Sequence, residues 1–86
     1  MIQIRKDVSK NRAYIKLKGF FQDEDVKSAC EQILSTAKSL APGFDIVNDI
    51  EEFKPASPKA AEYIAHLQEE VGKLQVGKIV RIVGNN

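Results

Sequence analysis

The spacing of apolar residues changes in a fixed order along this chain, and that order limits the fold more than any other sequence feature. Near the amino terminus, apolar and polar residues alternate over residues 2–8 and again over residues 13–18. A period of two is typical of a strand with one buried face. The turn-forming residues 9–11 separate the two segments. The sequence therefore predicts an antiparallel hairpin.

A helical pattern follows the hairpin. Between Val26 and Leu40, apolar residues recur with the three- and four-residue spacing of an amphipathic helix. We expect Asp23 to be the N-cap, because a carboxylate accepts free amide protons and suits the positive end of the helix dipole. Pro42 and Gly43 are expected to end this segment, since proline cannot continue a helix and glycine allows the chain to reverse.

The second half of the chain repeats the sequence of strand, helix and strand. Residues 44–50 predict a short central strand, and residues 51–56 predict a loop. Ser57 and Pro58 predict the start of a second helix, because serine is a favoured N-cap and proline is favoured at the first helical position. The β-branched run at residues 78–83 predicts a final, buried strand.

The resulting order is ββαβαβ, which indicates a single α/β domain spanning residues 1–86. Right-handed crossovers make strands two, three and four parallel and leave the first strand antiparallel. We therefore expect a mixed four-stranded sheet with two helices mainly on one face. The other face would leave uncovered Tyr14, Lys16, Val47 and, in the last strand, Val83. Such a mixed patch predicts a homodimer through the open sheet face or a longer parent chain.

Composition excludes several classes of protein. No apolar run approaches the roughly 18 residues that a membrane span needs. The first residues lack the apolar segment of a signal peptide, so a cytoplasmic location is expected. With one cysteine and one histidine, a disulfide framework or a structural zinc site is not expected. We likewise expect no cofactor.

The net charge of +1 hides an asymmetry, because residues 1–18 contain six basic residues and one acid. Aromatic residues are not interleaved with these charges in the manner of a nucleic-acid-binding surface. We interpret the basic segment as a solvated hairpin face whose charges discourage edge pairing, and we expect no nucleic-acid partner.

One motif resembles a phosphate-binding loop and is rejected. Residues 72–78 match the spacing GxxxxGK, but Ile79 stands where that loop needs serine or threonine. The motif also closes a predicted helix and enters a strand, which is the reverse of the required context. We interpret its glycines as helix-end residues.

A group of polar residues is expected at the carboxyl ends of the parallel strands, where α/β sheets collect ligands. These candidates for an interaction or anion site are Asn48, Asp49, Ser57, Lys59 and Arg81. Purely structural roles are the competing interpretation. Ser57 would then only cap the second helix, and Arg81 would form an ion pair with Asp49 or Asp45.

Catalytic residues are not apparent. His66 lies on a helix flank and Cys30 lies on the apolar stripe of the first helix, so we interpret them as a surface residue and a buried, inert thiol. The sequence shows no nucleophile with a base at a suitable spacing, and an enzyme is therefore the least favoured hypothesis.

A family resemblance rests on the opening hairpin, Lys18–Phe20, Gly43–Ile50, the loop to Ser57 and the strand at residues 78–83. Through these segments the chain resembles the first part of STAS domains, the anti-sigma-factor-antagonist superfamily. Regulatory members carry a serine near that helix start which a partner kinase phosphorylates, and Ser57 is the nearest match. Full members continue with at least one more helix, so the resemblance implies truncation at the carboxyl terminus.

The resemblance and the lack of a catalytic set together predict a non-enzymatic module for protein–protein interaction or regulation, with a protein partner. The alternative hypothesis is a module that binds a small molecule, an anion or a lipid in the cleft at the carboxyl ends of the parallel strands.

Overall fold

A computed structural model describes residues 1–83, and its elements follow the predicted order ββαβαβ. The elements are β1 (Ile2–Asp7), β2 (Arg12–Phe21), α1 (Asp23–Lys38), β3 (Asp45–Pro55), α2 (Lys59–Lys73) and β4 (Ile79–Ile82). No helix among the described residues is long and apolar enough to cross a membrane.

The four strands form one mixed sheet in the order β1-β2-β3-β4. β1 pairs with β2 in antiparallel fashion, whereas β2, β3 and β4 run parallel. The predicted α/β fold class is therefore confirmed. The strand order, which the sequence pattern left open, is simply the order of the strands along the chain.

Both helices lie on one face of the sheet. That face carries Ile15 and Leu17 of β2 and Ile46 of β3, all buried. The apolar stripe of α1 packs onto them, and Ala60 and Val71 of α2 complete the core. Because side chains alternate across a strand, the residues between these core positions point to the opposite face, which no helix among residues 1–83 covers.

β2 and β3 are longer than the sequence predicts. The prediction of a loop at residues 51–56 is wrong, because residues 51–55 belong to β3. β2 continues through Gly19, which adopts a φ of +95°. β3 runs beside it as far as Pro55 after a one-residue register shift. Phe21 and Phe53 meet edge to face with ring centroids 5.1 Å apart. Each strand thus supplies the partner that stabilises the other.

The N-cap of the first helix lies one residue earlier than predicted. Gln22, not Asp23, is the N-cap residue of α1. The carboxylate of Asp25 accepts the Gln22 backbone N–H at 2.9 Å. Asp23, Glu24 and Asp25 therefore all lie in the first turn of the helix, where the helix dipole favours negative charge.

The start of α2 lies one residue later than the serine–proline signal predicts, because Pro58, not Ser57, occupies the N-cap position. Pro58 has helical backbone angles, with φ −61° and ψ −17°. The Ser57 hydroxyl oxygen accepts the backbone N–H of Lys59 at 3.2 Å. Serine therefore caps the helix from outside, and proline occupies a position where its missing N–H has no intrahelical partner.

The expectation that the last strand is buried is wrong. Ile79, Val80 and Ile82 are 41–47% exposed. β4 lies at the edge of the sheet and pairs only with β3. α2 rests mainly against α1 rather than on the strands, so it leaves even the helix-side surface of β4 uncovered.

Candidate functional site

The structure separates the five candidate residues into three places. Asn48 and Asp49 are expected at the end of β3, but the strand continues beyond them to Pro55. At roughly 3.3 Å per residue, about 20 Å of strand separates Asp49 from the helix start at Ser57. The five side chains therefore do not form one cluster at the carboxyl ends of the strands.

Asn48 and Arg81 are the two candidates that the fold brings together. They are paired in the β3–β4 ladder, and both face the helices. Together with Gln68 of α2 they line a cavity of about 210 Å³ between the sheet and the two helices. The rest of the lining is largely apolar and includes Leu17, Ile33, Ile50, Phe53, Ile64 and Leu67.

The cavity follows from the way α2 is held. This helix packs closely against α1 and makes only sparse contact with the strands. Ile64 and Leu67, which point from α2 towards the sheet, remain half-buried and line the space below the helix. The gap between α2 and the strands is therefore open at the side where β4 forms the edge of the sheet.

Arg81 does not form the predicted ion pair among residues 1–83. Asp45 is engaged elsewhere, because its carboxylate lies 3.8 Å from the Arg12 guanidinium and accepts the Lys78 N–H at 2.9 Å. Asp49 accepts the Glu51 backbone N–H at 3.3 Å. It also lies on the opposite face of the sheet from Arg81, because strand side chains alternate. Arg81 is thus the single charged side chain of the cavity lining within the described part of the chain.

Asp49 belongs to the uncovered face of the sheet. In the ladders it neighbours Lys16 of β2 and Ile82 of β4. Two residues earlier in each strand, and on the same face, Tyr14 of β2 lies beside Val47 of β3, and Val47 lies beside Val80 of β4. This face therefore combines apolar side chains with charges of both signs.

The basic edge of the same face is organised around Tyr14. The Arg5 guanidinium lies over the Tyr14 ring, 4.5 Å from its centroid. Arg12 donates a hydrogen bond to the Tyr14 hydroxyl at 3.1 Å, and this bond raises the pKa of the guanidinium. These contacts fix the positive charges of β1 and β2 on the half of the face opposite the apolar residues of β4.

Ser57 and Lys59 form the third place, where the starts of the two helices meet. The Ser57 hydroxyl donates a 2.7 Å hydrogen bond to the carboxylate of Asp23. The sequence pattern treats the two helix starts as separate and does not reveal this contact. A carboxylate next to Ser57 opposes the binding of a second negative charge there, although Lys59 is exposed nearby.

Of the two remaining reactive side chains, His66 lies on the surface as expected, whereas Cys30 is less buried than predicted. His66 is exposed on α2. Cys30 is half-buried on α1, and burial raises the pKa of its thiol, with a smaller contribution from Glu31. Among residues 1–83, no three histidine, cysteine, aspartate or glutamate side chains are grouped as a metal site would require.

Sequence reasoning missed the cavity because its walls come from five elements, β2, α1, β3, α2 and β4. Helical periodicity places Ile64 and Leu67 on the buried stripe of α2 but does not show how far that stripe stands from the sheet. The one available signal is a charged residue within an apolar strand, Arg81, for which the sequence leaves an anion site and an ion pair both open.

Comparison with known proteins identifies the fold. No protein-family model and no curated protein matches the chain. Among solved structures, the chain is similar to the Bacillus cell fate determinant SpoIIAA in its phosphorylated form, with a TM-score of 0.67 and 14% sequence identity. The alignment covers 92% of this chain and 68% of that chain. The chain has the SpoIIAA-like fold, and the expected STAS-like architecture is confirmed.

Proposed function

We propose that the chain is a non-enzymatic, regulatory protein-interaction module, and that it pairs with a second copy of itself through the uncovered face of its sheet. The observation that carries the proposal is the exposed apolar patch on the β3–β4 side of that face. Val80 is 47% exposed and Ile82 is 41% exposed, and both adjoin residues of β3 on the same face. Contiguous apolar surface of this kind is typical of interaction sites.

Charge complementarity supports a second copy as the partner. Arg5 and Lys16 lie on the β1–β2 half of the face, whereas Asp49 lies on the β3–β4 half. In a two-fold dimer whose axis runs parallel to the strands, the strand order of one copy is reversed relative to the other, so the basic half of one copy faces the acidic half of its partner. The apolar residues of β3 and β4 on this face are then buried between the two copies.

The fold supports the regulatory part of the proposal. SpoIIAA is a cell fate determinant and was solved in a phosphorylated form. A chain with the same arrangement of strands and helices suits the same general kind of role, in which binding to another protein is the activity. The present proposal concerns the interaction surface and does not depend on phosphorylation of Ser57.

The test compares the mass of the protein in solution with that of a variant on the proposed face. We expect the wild-type protein to sediment as a dimer and Val80→Asp to sediment as a monomer, because a carboxylate would be buried without a partner. Val8→Asp is the matched control, since Val8 is 71% exposed in the β1–β2 turn. This control is expected to remain dimeric.

A second pair of variants tests the orientation of the dimer. Arg5→Glu and Asp49→Arg are each expected to weaken the dimer, and their combination is expected to restore it, because the opposite charges are exchanged across the axis. A wild-type protein that stays monomeric at high concentration would contradict the proposal. Unaltered dimerisation of Val80→Asp would place the interface elsewhere.

A further inference from the structure

The cavity below α2 is separate from the proposed interaction surface. It lies on the helix side of the sheet, away from the uncovered face. Its volume is about 210 Å³. Cavities of roughly 150 Å³ lined by leucine, isoleucine and phenylalanine side chains accommodate a molecule the size of benzene. The space is therefore large enough for an apolar body of about six to eight carbon atoms.

The polar part of the lining lies at the solvent-exposed side of the cavity and carries one sign of charge. Arg81 contributes a guanidinium, and Asn48 and Gln68 contribute carboxamides that donate hydrogen bonds. Within residues 1–83 the lining includes no aspartate or glutamate, and Arg81 has no carboxylate at ion-pairing distance. An anion at this end of the cavity would meet a positive charge and hydrogen-bond donors.

The apolar part is formed by different elements and is continuous. Leu17 and Phe53 come from the sheet, Ile33 comes from α1, and Ile64 and Leu67 come from α2. Binding pockets commonly have this composition, in which an apolar wall accompanies a few polar groups that orient the ligand. The division between the two parts matches a molecule with an apolar body and one anionic group.

We propose that this cavity binds a small monocarboxylate with an apolar body, with its carboxylate at Arg81 and its hydrocarbon part between the sheet and α2. The guanidinium offers two parallel N–H donors to a carboxylate, which an ammonium group does not. Neutral and cationic molecules of the same size lack this interaction. Acetate has the charge but lacks the apolar body.

Titrations of the wild-type protein with four probes test the ligand class. The probes are octanoate, 1-octanol, octylammonium and acetate, and amide correlation spectra report where each one binds. We expect octanoate to shift the amide signals of Asn48, Leu67 and Arg81 at the lowest concentration. Octylammonium and acetate are expected to cause no saturable shifts. Absence of a saturable octanoate response at millimolar concentration would overturn the proposal.

Two variants separate the charged part of the site from the apolar part. Arg81→Gln is expected to weaken octanoate binding about tenfold and to leave 1-octanol binding unchanged. Ile64→Phe is expected to abolish binding of both, because the larger ring fills the cavity. Lys38→Gln, a change to an exposed cation at the end of α1, is the matched control and is expected to bind like the wild type.

The spectra of each variant also show whether it is folded. Equal octanoate affinity of Arg81→Gln and the wild type would overturn the assignment of the carboxylate to Arg81. Octanoate binding by a folded Ile64→Phe would overturn the assignment to this cavity. Neither outcome bears on dimerisation, because Arg81 and Ile64 lie on the opposite side of the sheet from Val80.

Discussion

A single hydrogen bond joins two segments that are far apart in the chain. The Ser57 hydroxyl donates to Asp23 and, at the same time, accepts the Lys59 N–H. One side chain therefore caps α2 and fastens it to the start of α1. This contact adds to the packing of α2 against α1, which holds the helix although it has little support from the sheet below it.

Replacement of Ser57 by alanine should destabilise the protein by about 1–2 kcal/mol, because it removes a helix cap and a hydrogen bond to a carboxylate. Urea unfolding measures the change. Ser35→Ala, at an exposed position within α1, is the control and should change the free energy of unfolding by less than about 0.5 kcal/mol. Equal effects of the two substitutions would show that the Ser57–Asp23 contact contributes nothing.

Asp7 provides a second prediction for an individual residue. The Ser9 hydroxyl and, to a smaller extent, the Lys10 backbone N–H hold the pKa of this carboxyl below its ordinary value of 3.8. Because the pKa is lower in the folded state, the ionised carboxylate stabilises the turn at pH values above the ordinary pKa of the group. This stabilisation is lost as the pH falls through the folded-state pKa.

Ser9→Ala should therefore raise the pKa of Asp7, which can be followed by an NMR titration of its side-chain carboxyl. The wild type and this variant should differ in stability at neutral pH and converge in strong acid, where the carboxyl is protonated in both states. A lowered or unchanged pKa in Ser9→Ala would rule out the hydroxyl as the main cause.

Among the elements, those with a strong hydrophobic period were predictable and those that depend on a distant partner were not. The hairpin and both helices follow from local spacing alone. Residues 51–55 extend β3 because β2 continues past Gly19 and offers them backbone partners, and no local pattern encodes that. The five candidate residues do not converge for the same reason, since the local pattern predicts that Asn48 and Asp49 end the strand.

The connection from α2 to β4 contains a glycine, Gly77, at a position where a side chain would not fit. A Cβ atom on Gly77 would lie 2.6 Å from the Gly43 carbonyl oxygen and 2.9 Å from a carboxylate oxygen of Asp45. Gly77 also donates its N–H to the Phe44 carbonyl oxygen at 2.6 Å. The turn before β3 and the turn before β4 are therefore in direct contact through their backbones.

Gly77→Ala should destabilise the protein by about 1–3 kcal/mol, since the backbone must move to admit the methyl group. Gly72→Ala is the matched comparison. A Cβ atom there meets nothing within 4 Å, and Gly72 lies inside α2. Alanine should stabilise the helix at that position by about 0.5–1 kcal/mol. Thermal unfolding of the two variants should thus shift in opposite directions, and shifts of the same sign would contradict this interpretation.

At the scale of the whole molecule, the sheet has two different sides. The sequence predicted this asymmetry, because two helices suffice to cover one face of four strands. It did not predict that the covered side is itself incomplete near β4. That property depends on where α2 sits relative to α1, which is set by contacts such as Ser57–Asp23 and not by the periodicity of either helix.

The ladder that attaches β4 is short, with only four residue pairs from Ile46–Ile79 to Asp49–Ile82. β2, by contrast, is paired along both of its edges. Local opening of β4 breaks few hydrogen bonds and exposes little additional apolar surface, so its free energy should lie well below that of global unfolding. Amide hydrogens of β4 should therefore exchange with deuterated solvent much faster than those of β2. The sheet would then open from one defined edge, and Arg81 would move with that edge.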